Sequence, residues 1–446
     1  MSYGYRLHVS STAFLTAAGY GRVAHIPCIF DGRPAYHRLG SRFLIDRGLG
    51  IWDPFLRGSG PRTTPPTPIS IRGMGEWLCN FLEWADLRSI DPLTCDYAEH
   101  VSGRYQREMV EGIWSLRGVG LAERTINVRV GQACEYICWL ADKEYREPFL
   151  IPTRTVRVAT SSATSAIGHR GKTVEKRLGK LRVPKRQLRM PSSEEIDSWL
   201  ARIYMKYGQA KGLMAELILK TGVRREEAAC WRIDTLPLDP SKWNIPNRES
   251  PRQKQKVLVE IKYGCKGEFY GTDHNDKIGP AGTIRIPLEL AEKLNLYWKR
   301  NRTSALKKWV LAGRTVADQR ERAKNAVHLF LDEKSGERIR ARDLYEAWTG
   351  VELPMEGWCP HRGRDWWACS TLLRELKRHE QLLQSGLDVS HALLESAAIG
   401  VIRLLIQPQL RHANDSTSMT YLYWVSDTLG FDLSIEYQKL PDEDDE

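Results

Sequence analysis

The chain has 446 residues, 42% of them hydrophobic, which is enough for two or three buried cores and too apolar for a disordered tail. No uninterrupted apolar stretch approaches the length a bilayer needs, and the start MSYGYRLHVS lacks the basic-then-apolar order of a signal peptide, so a cytoplasmic protein without membrane segments is expected. Nine scattered cysteines, with no CxxC pair and no zinc spacing, read as reduced thiols, and a net charge of +11 favours a polyanionic partner.

Residues 1–70 contain short extended pieces, RLHVSS and HIPCIFDGRPAY, with Asp31-Gly32 as a hairpin turn signal, followed by a loop rich in Pro and Gly. They are expected to form an N-terminal extension whose role the residues do not disclose. Over 71–150 the pattern is helical: Trp77, Leu78, Phe81 and Leu82 line one face, and Ile126, Val130, Ala133, Ile137 and Leu140 another, predicting a small helical domain. Residues 151–190 carry eleven Arg or Lys against the single acid Glu175, almost the whole charge excess, together with TSSATSA and little apolar periodicity. This predicts a basic interdomain linker that passes along a phosphate backbone, with Arg170, Lys172, Lys176, Arg177, Lys180, Arg182, Lys185 and Arg186 as DNA-binding candidates. A solvated connector kept extended by its charge is the alternative.

The C-terminal domain is expected over 191–435. PSSEEIDSWLARIY opens a helix with Ser192 facing Glu195 in a capping box; the helix runs to about Lys220, and Gly222 is a left-handed stop. KVLVEIKY, with Val257, Val259, Ile261 and Tyr263 on one face, and TIRIPL, with Ile284, Ile286 and Leu288 on one face, predict a strand hairpin with a long tip. HLFLDEKSGERI adds a short apolar run with a Ser335-Gly336 turn, helix follows from Ala341 onward, and 436–446 is an acidic tail.

Four separated segments carry residues suited to chemistry. TGVRREEAACW places Arg224 directly after the helix stop, YGCKGEF offers Lys266 on the hairpin tip, PHRGRDWWA begins a helix at Pro360 with His361 and Arg364 on one face, and RHANDSTSMTYLYW holds His412 and, nine residues on, Tyr421. Singly each has an ordinary reading: Arg224 could pair with Glu227, and Tyr421, Tyr423 and Trp424 could be a core stripe. Together, in this order, they resemble the tyrosine recombinases of the phage-integrase class. TGVRREEA is similar to that family's first arginine box, with Arg224 as the catalytic arginine and Glu227 at the usual acidic position. PHRGRDWWA is similar to the second box and supplies His361 and Arg364. LRHANDSTSMTY is similar to the third, which makes Tyr421 the nucleophile and Tyr423 the bystander, while Lys266 in CKG resembles the family's lysine, with Lys262 the alternative. Gly363 stands where leucine is common, Asp365 where a second histidine is common and Arg411 where glycine is usual, and His412 lies 48 positions after Arg364, which implies extra helical material between them. The resemblance spans residues 191 to about 425, and more weakly the helices of 71–142, which look like the family's core-binding domain.

The resemblance implies a mainly α multidomain protein: a helical, SAM-like core-binding domain and a mixed α/β, mostly helical catalytic domain with a small antiparallel sheet. It implies a site-specific recombinase from a bacterium or mobile element, working in the nucleoid as a homotetramer on double-stranded DNA with a specific recombination site, with accessory DNA-bending or directionality proteins. The residue chemistry agrees. Two guanidiniums stabilise the charge gathered on a phosphate's oxygens, a phenol needs a proton acceptor to become nucleophilic, and a departing 5′-oxygen needs a proton. Arg224 and Arg364, His361 as base, Lys266 as general acid and His412 on the phosphate fill those roles, leaving a 3′-phosphotyrosine. No cofactor and no metal are expected, because the sequence shows neither a phosphate-binding loop nor a carboxylate cluster for magnesium. The alternatives are a type IB topoisomerase or telomere resolvase, a DNA-binding regulator without activity, and an RNA-binding protein.

Overall fold

The computed structural model describes residues 4–33, 35–54, 65–158, 172–183, 188–266, 268, 270–274, 279–383, 391–412 and 415–430. Arg170, Lys185, Arg186 and the acidic tail lie outside the described residues. The chain divides into two units, Met1–Lys185 and Arg186–Glu446. The described residues are mostly helical, with three two-stranded antiparallel sheets, in agreement with the expected class.

In the first unit β1 (Arg6–His8) pairs with β2 (Cys28–Phe30), and the turn after β2 is held by Asp31, whose Oδ1 accepts from the Arg33 and Ala35 amides at 2.9 Å each. The helices are α1 (Thr12–Ala17), α2 (Arg38–Gly48), α3 (Pro68–Leu87), α4 (Arg107–Val110) and α5 (Glu123–Asp142). Proline in its first turn and the Thr67 hydroxyl, which accepts from the Ser70 amide, start α3. Leu78, Phe81 and Leu82 are buried, as are the five expected α5 positions, but Trp77 is 36% exposed. The inward face of α3 is instead set by Ile71, Leu78, Leu82 and Ala85 at helical spacing, with Trp84 anchored by its indole N–H on Glu108.

Two expectations for this unit are corrected. Residues 1–70 are not a separate extension: Ile29, Phe43, Leu44 and Trp52 belong to the same core as α3 and α5. Phe43 meets Tyr136 and Trp139 of α5 edge-on at 5.5 and 5.7 Å, and the Trp139 indole donates to Asp46 of α2 at 3.0 Å. The basic stretch is also not purely linker. β3 (Thr153–Val158) and β4 (Lys172–Arg177) pair antiparallel in register from Thr153↔Arg177 to Val158↔Lys172. The Thr and Val residues alternating with the cations supply the strand propensity that the charge obscures.

In the second unit, α6 (Ser193–Thr221) starts on the expected capping box. The Ser192 amide donates to Glu195 Oε2 at 2.8 Å and the Glu195 amide to Ser192 Oγ at 3.2 Å. After α6 come α7 (Arg225–Ala229), the hairpin of β5 (Lys256–Ile261) and β6 (Gly282–Pro287), then α8 (Leu288–Tyr297), α9 (Thr303–Leu311), α10 (Val316–Asn325) and α11 (Ala341–Thr349). The chain continues through α12 (Pro360–Leu383), α13 (His391–Val401), α14 (Gln407–Leu410) and α15 (Asp415–Leu429). Val257, Val259, Ile261, Ile284 and Ile286 are buried as expected. Tyr263 lies past the end of β5 and donates to Asp234 at 2.6 Å, and Leu288 opens α8 instead of ending a strand.

One core of this unit surrounds α6, where Trp199 packs on Trp348 and Trp358 at 4.4 and 5.8 Å. The same cluster explains Gly363: a Cβ there would lie 2.6 Å from Trp348, so a leucine has no room. A second core joins α12 to Ile402, Ile406 and Leu410 and to Tyr421, Leu422 and Val425 of α15. The rest of α12 with α13 and α14 fills the long interval between Arg364 and His412. One run here, Leu393–Leu410, is long and apolar enough to cross a bilayer by length and composition, contrary to the expectation that none is. Ala398, Ile402, Ile406 and Leu410 on it are fully buried in the second core, while Leu393 and Leu404 are exposed.

Candidate active site

The site forms where the end of α6, the start of α7, the loop before β6, the first turn of α12 and the segment from α14 to α15 meet. Gly222 ends α6 in the left-handed region at φ 68°, and a Cβ there would sit 2.6 Å from Leu410, so both conformation and space require glycine. Two residues on, Arg224 caps α7. Its amide donates to Glu227 Oε2 at 2.8 Å and its guanidinium to Oε1 at 3.1 Å. The Gly222 carbonyl accepts from Arg364 Nη1, and Arg364 Nη2 donates to the Leu410 carbonyl. Arg364 is thereby fixed on two helix ends. Burial, then neighbouring Arg224, push it down to about 9, which leaves it cationic at neutral pH.

Leu410 is the last residue of α14, and Arg411 follows in the left-handed region at φ 52°. Glycine would suit this backbone; here an arginine adopts it. Its Nε donates to the Pro280 carbonyl at 3.1 Å and its Nη2 to Glu227 Oε1, while its Nη1 is buried without a hydrogen-bond partner among the described residues. Glu227 is fully buried between Arg224 and Arg411. Burial acts to raise its carboxyl, but the two arginines outweigh it and hold the group below its ordinary range. Gln409 braces the same place, donating to the Thr221 and Arg285 carbonyls at 2.9 Å each and accepting from the Arg285 amide at 2.8 Å. Sequence reasoning missed Gln409. Arg411 was visible only as an arginine where glycine is usual.

His412 and Tyr421 complete the centre. Their rings lie 6.4 Å apart and near parallel, and His412 Nδ1 is 3.0 Å from the Ser418 hydroxyl. Burial, followed by Arg364, Arg224 and His361, pushes His412 down to about 3, so it is neutral at neutral pH. Tyr421 is 3% exposed, and its hydroxyl donates to Asp365 Oδ1 at 3.2 Å. Burial first and the Asp365 charge second raise the phenol well above 10, so it is protonated as it stands. Tyr423 is only half-buried.

His361 is exposed on the first turn of α12, and its charge acts on His412. Lys266 is exposed. Its backbone runs beside the segment before β6, its amide donating to the Gly279 carbonyl at 3.3 Å and its carbonyl accepting from Ala281 at 3.1 Å. A Cβ on Gly279 would lie 2.9 Å from Arg224 Nη2, so this loop passes directly against the first arginine. Lys262 is exposed and pairs with Glu260 at 3.1 Å. The Lys266 loop is tethered by Asp273, whose carbonyl accepts from the Gly264 amide. The Asp273 carboxylate takes Arg232, His328 and Arg338 at 2.5, 2.9 and 2.7 Å.

Of the basic candidates, Lys172 contributes backbone to β4, Lys180 and Arg182 are exposed, and Lys176 is half-buried. Arg177 is part of the fold: it donates to the Tyr97 hydroxyl at 2.7 Å and to Gln106 at 3.1 Å.

No family model and no curated protein matches the sequence. Solved structures are similar to it in fold. The Tn1549 transposon integrase in complex with transposon right end DNA is 13% identical at a TM-score of 0.44, covering 84% of this chain and 95% of that one. The XerH site-specific recombinase bound to its difH substrate is 19% identical at 0.38, covering 79% and 75%, and the XerA recombinase is 12% identical at 0.29, covering 90% and 95%.

Proposed function

We propose that this chain is a site-specific DNA recombinase of the tyrosine class, which cuts and rejoins double-stranded DNA through a 3′-phosphotyrosine formed on Tyr421. The observation that carries the reading is the convergence, from segments nearly 200 residues apart, of Tyr421 with Arg224, Arg364 and neutral His412. Two fixed guanidiniums suit the nonbridging oxygens of a phosphodiester, whose charge grows in the transition state. A neutral imidazole beside them is a hydrogen-bond partner for the phosphate without adding charge. Lys266, on a loop against Arg224, is the general acid for the departing 5′-oxygen. Because the phosphotyrosine keeps the energy of the broken bond, rejoining is the reverse attack by a 5′-hydroxyl. DNA contacts are assigned to the basic segment containing Lys176, Lys180 and Arg182, and the working form is a homotetramer on two duplexes. Strand exchange between two differently marked duplexes tests this. Recombinant junctions support it, whereas relaxation of a single supercoiled plasmid without exchange would favour a topoisomerase.

A further inference from the structure

The Tyr421 phenol must lose its proton as it attacks, and the sequence alone offered His361 as the acceptor. The side chains are arranged otherwise. His361 is exposed at the start of α12, and His412 faces the Tyr421 ring and has Nδ1 on Ser418. The acceptor of the Tyr421 hydroxyl is Asp365, at 3.2 Å, with both side chains buried. Asp365 follows Arg364 on α12, so the turn that fixes the phosphate-stabilising guanidinium also fixes this carboxylate. A carboxylate accepting a hydrogen bond from a buried hydroxyl is already aligned for proton transfer.

Building on the recombinase reading above, we propose that Asp365 is a catalytic residue, the general base that takes the proton of Tyr421. The phenol proton passes to Asp365 Oδ1 as the Tyr421 oxygen bonds to phosphorus. The bond from phosphorus to the 5′-oxygen breaks with its electron pair on that oxygen, which takes a proton from Lys266. In rejoining, the protonated Asp365 returns the proton to the departing phenolate and Lys266 accepts one from the incoming 5′-hydroxyl.

Asp365→Asn keeps the shape and an acceptor oxygen for the Tyr421 hydroxyl but loses the basicity. Measured as covalent adduct formation on a nicked substrate at saturating DNA, it should slow the reaction by roughly 10²–10⁴-fold, the range for loss of a general base, with DNA affinity retained. Placing 3,5-difluorotyrosine, a more acidic phenol, at position 421 should restore most of that loss, because a phenol that ionises readily depends less on a base. A defect in packing alone has no such dependence. An adduct rate in Asp365→Asn equal to or above that of the wild type overturns the assignment and makes the bond a latch. A loss that the fluorinated phenol leaves unchanged overturns it in favour of a structural role. A wild type that forms no adduct refutes the recombinase reading itself, and the base with it.

Discussion

Arg411→Gly separates the backbone of the site from its charge. Glycine suits the φ of 52° that Arg411 adopts, so the backbone should gain about 1 kcal/mol, the left-handed penalty less glycine's own entropy. Against this, the variant removes one partner of a buried pair, leaving Glu227 with Arg224 alone; breaking such a pair costs about 3–5 kcal/mol. The net expectation is a loss of about 2–4 kcal/mol, and the coupling is testable in a cycle with Glu227→Gln. The pH dependence has a definite sign. The folded carboxyl of Glu227 lies below its ordinary 4.5, so its contribution is fully present above that pH and is lost as pH falls through the folded value. The deficit of Arg411→Gly should therefore be largest at neutral pH and shrink in acid. Hydrogen exchange of the α6 and α7 amides, with urea unfolding at both pH values, measures it. A variant as stable as the wild type at neutral pH, or a deficit that grows in acid, would refute the reasoning.

Lys266→Ala should lower cleavage strongly while Lys262→Ala does not, and a substrate with sulfur at the leaving 5′ position should rescue only the former, since a thiolate departs without a proton. Rescue of Lys262→Ala instead would move the acid to that residue. Changing Lys176, Lys180 and Arg182 to glutamine should flatten the salt dependence of DNA binding by roughly 0.9 in log–log slope for each phosphate that the segment no longer neutralises, and an unchanged slope would show that the segment does not touch DNA. Arg177→Gln should instead loosen β4 from the helical segment that carries Tyr97 and Gln106, seen as faster exchange of the β4 amides.

Much of the second unit was legible because local signals and burial agree there. The capping box at Ser192, the stop at Gly222, the two alternating strands and the proline opening α12 each have one stable local solution. Arg224, Arg364, His412 and Tyr421 were legible by type and spacing. What could not be read was set by packing across long separations. Asp365 looked like a departure from pattern until its carboxylate was seen on Tyr421. Arg411 gave no sign that its guanidinium would reach Glu227, 184 residues away, and share it with Arg224. In the first unit, residues 1–70 lacked a readable period because a three-residue strand, the short helix α2 and a loop each deliver only one or two apolar side chains, Ile29, Phe43 with Leu44, and Trp52, to the core they share with α3 and α5.

The central claim is a covalent bond between Tyr421 and DNA. On a nicked suicide substrate carrying the protein's own recombination site, the wild type and Tyr423→Phe should form an adduct that survives denaturation, with the DNA mapping by peptide analysis to Tyr421. Tyr421→Phe removes one oxygen and almost no volume, so it should fold and bind DNA normally yet form none. An adduct in Tyr421→Phe, or DNA mapped to Tyr423, would contradict the account.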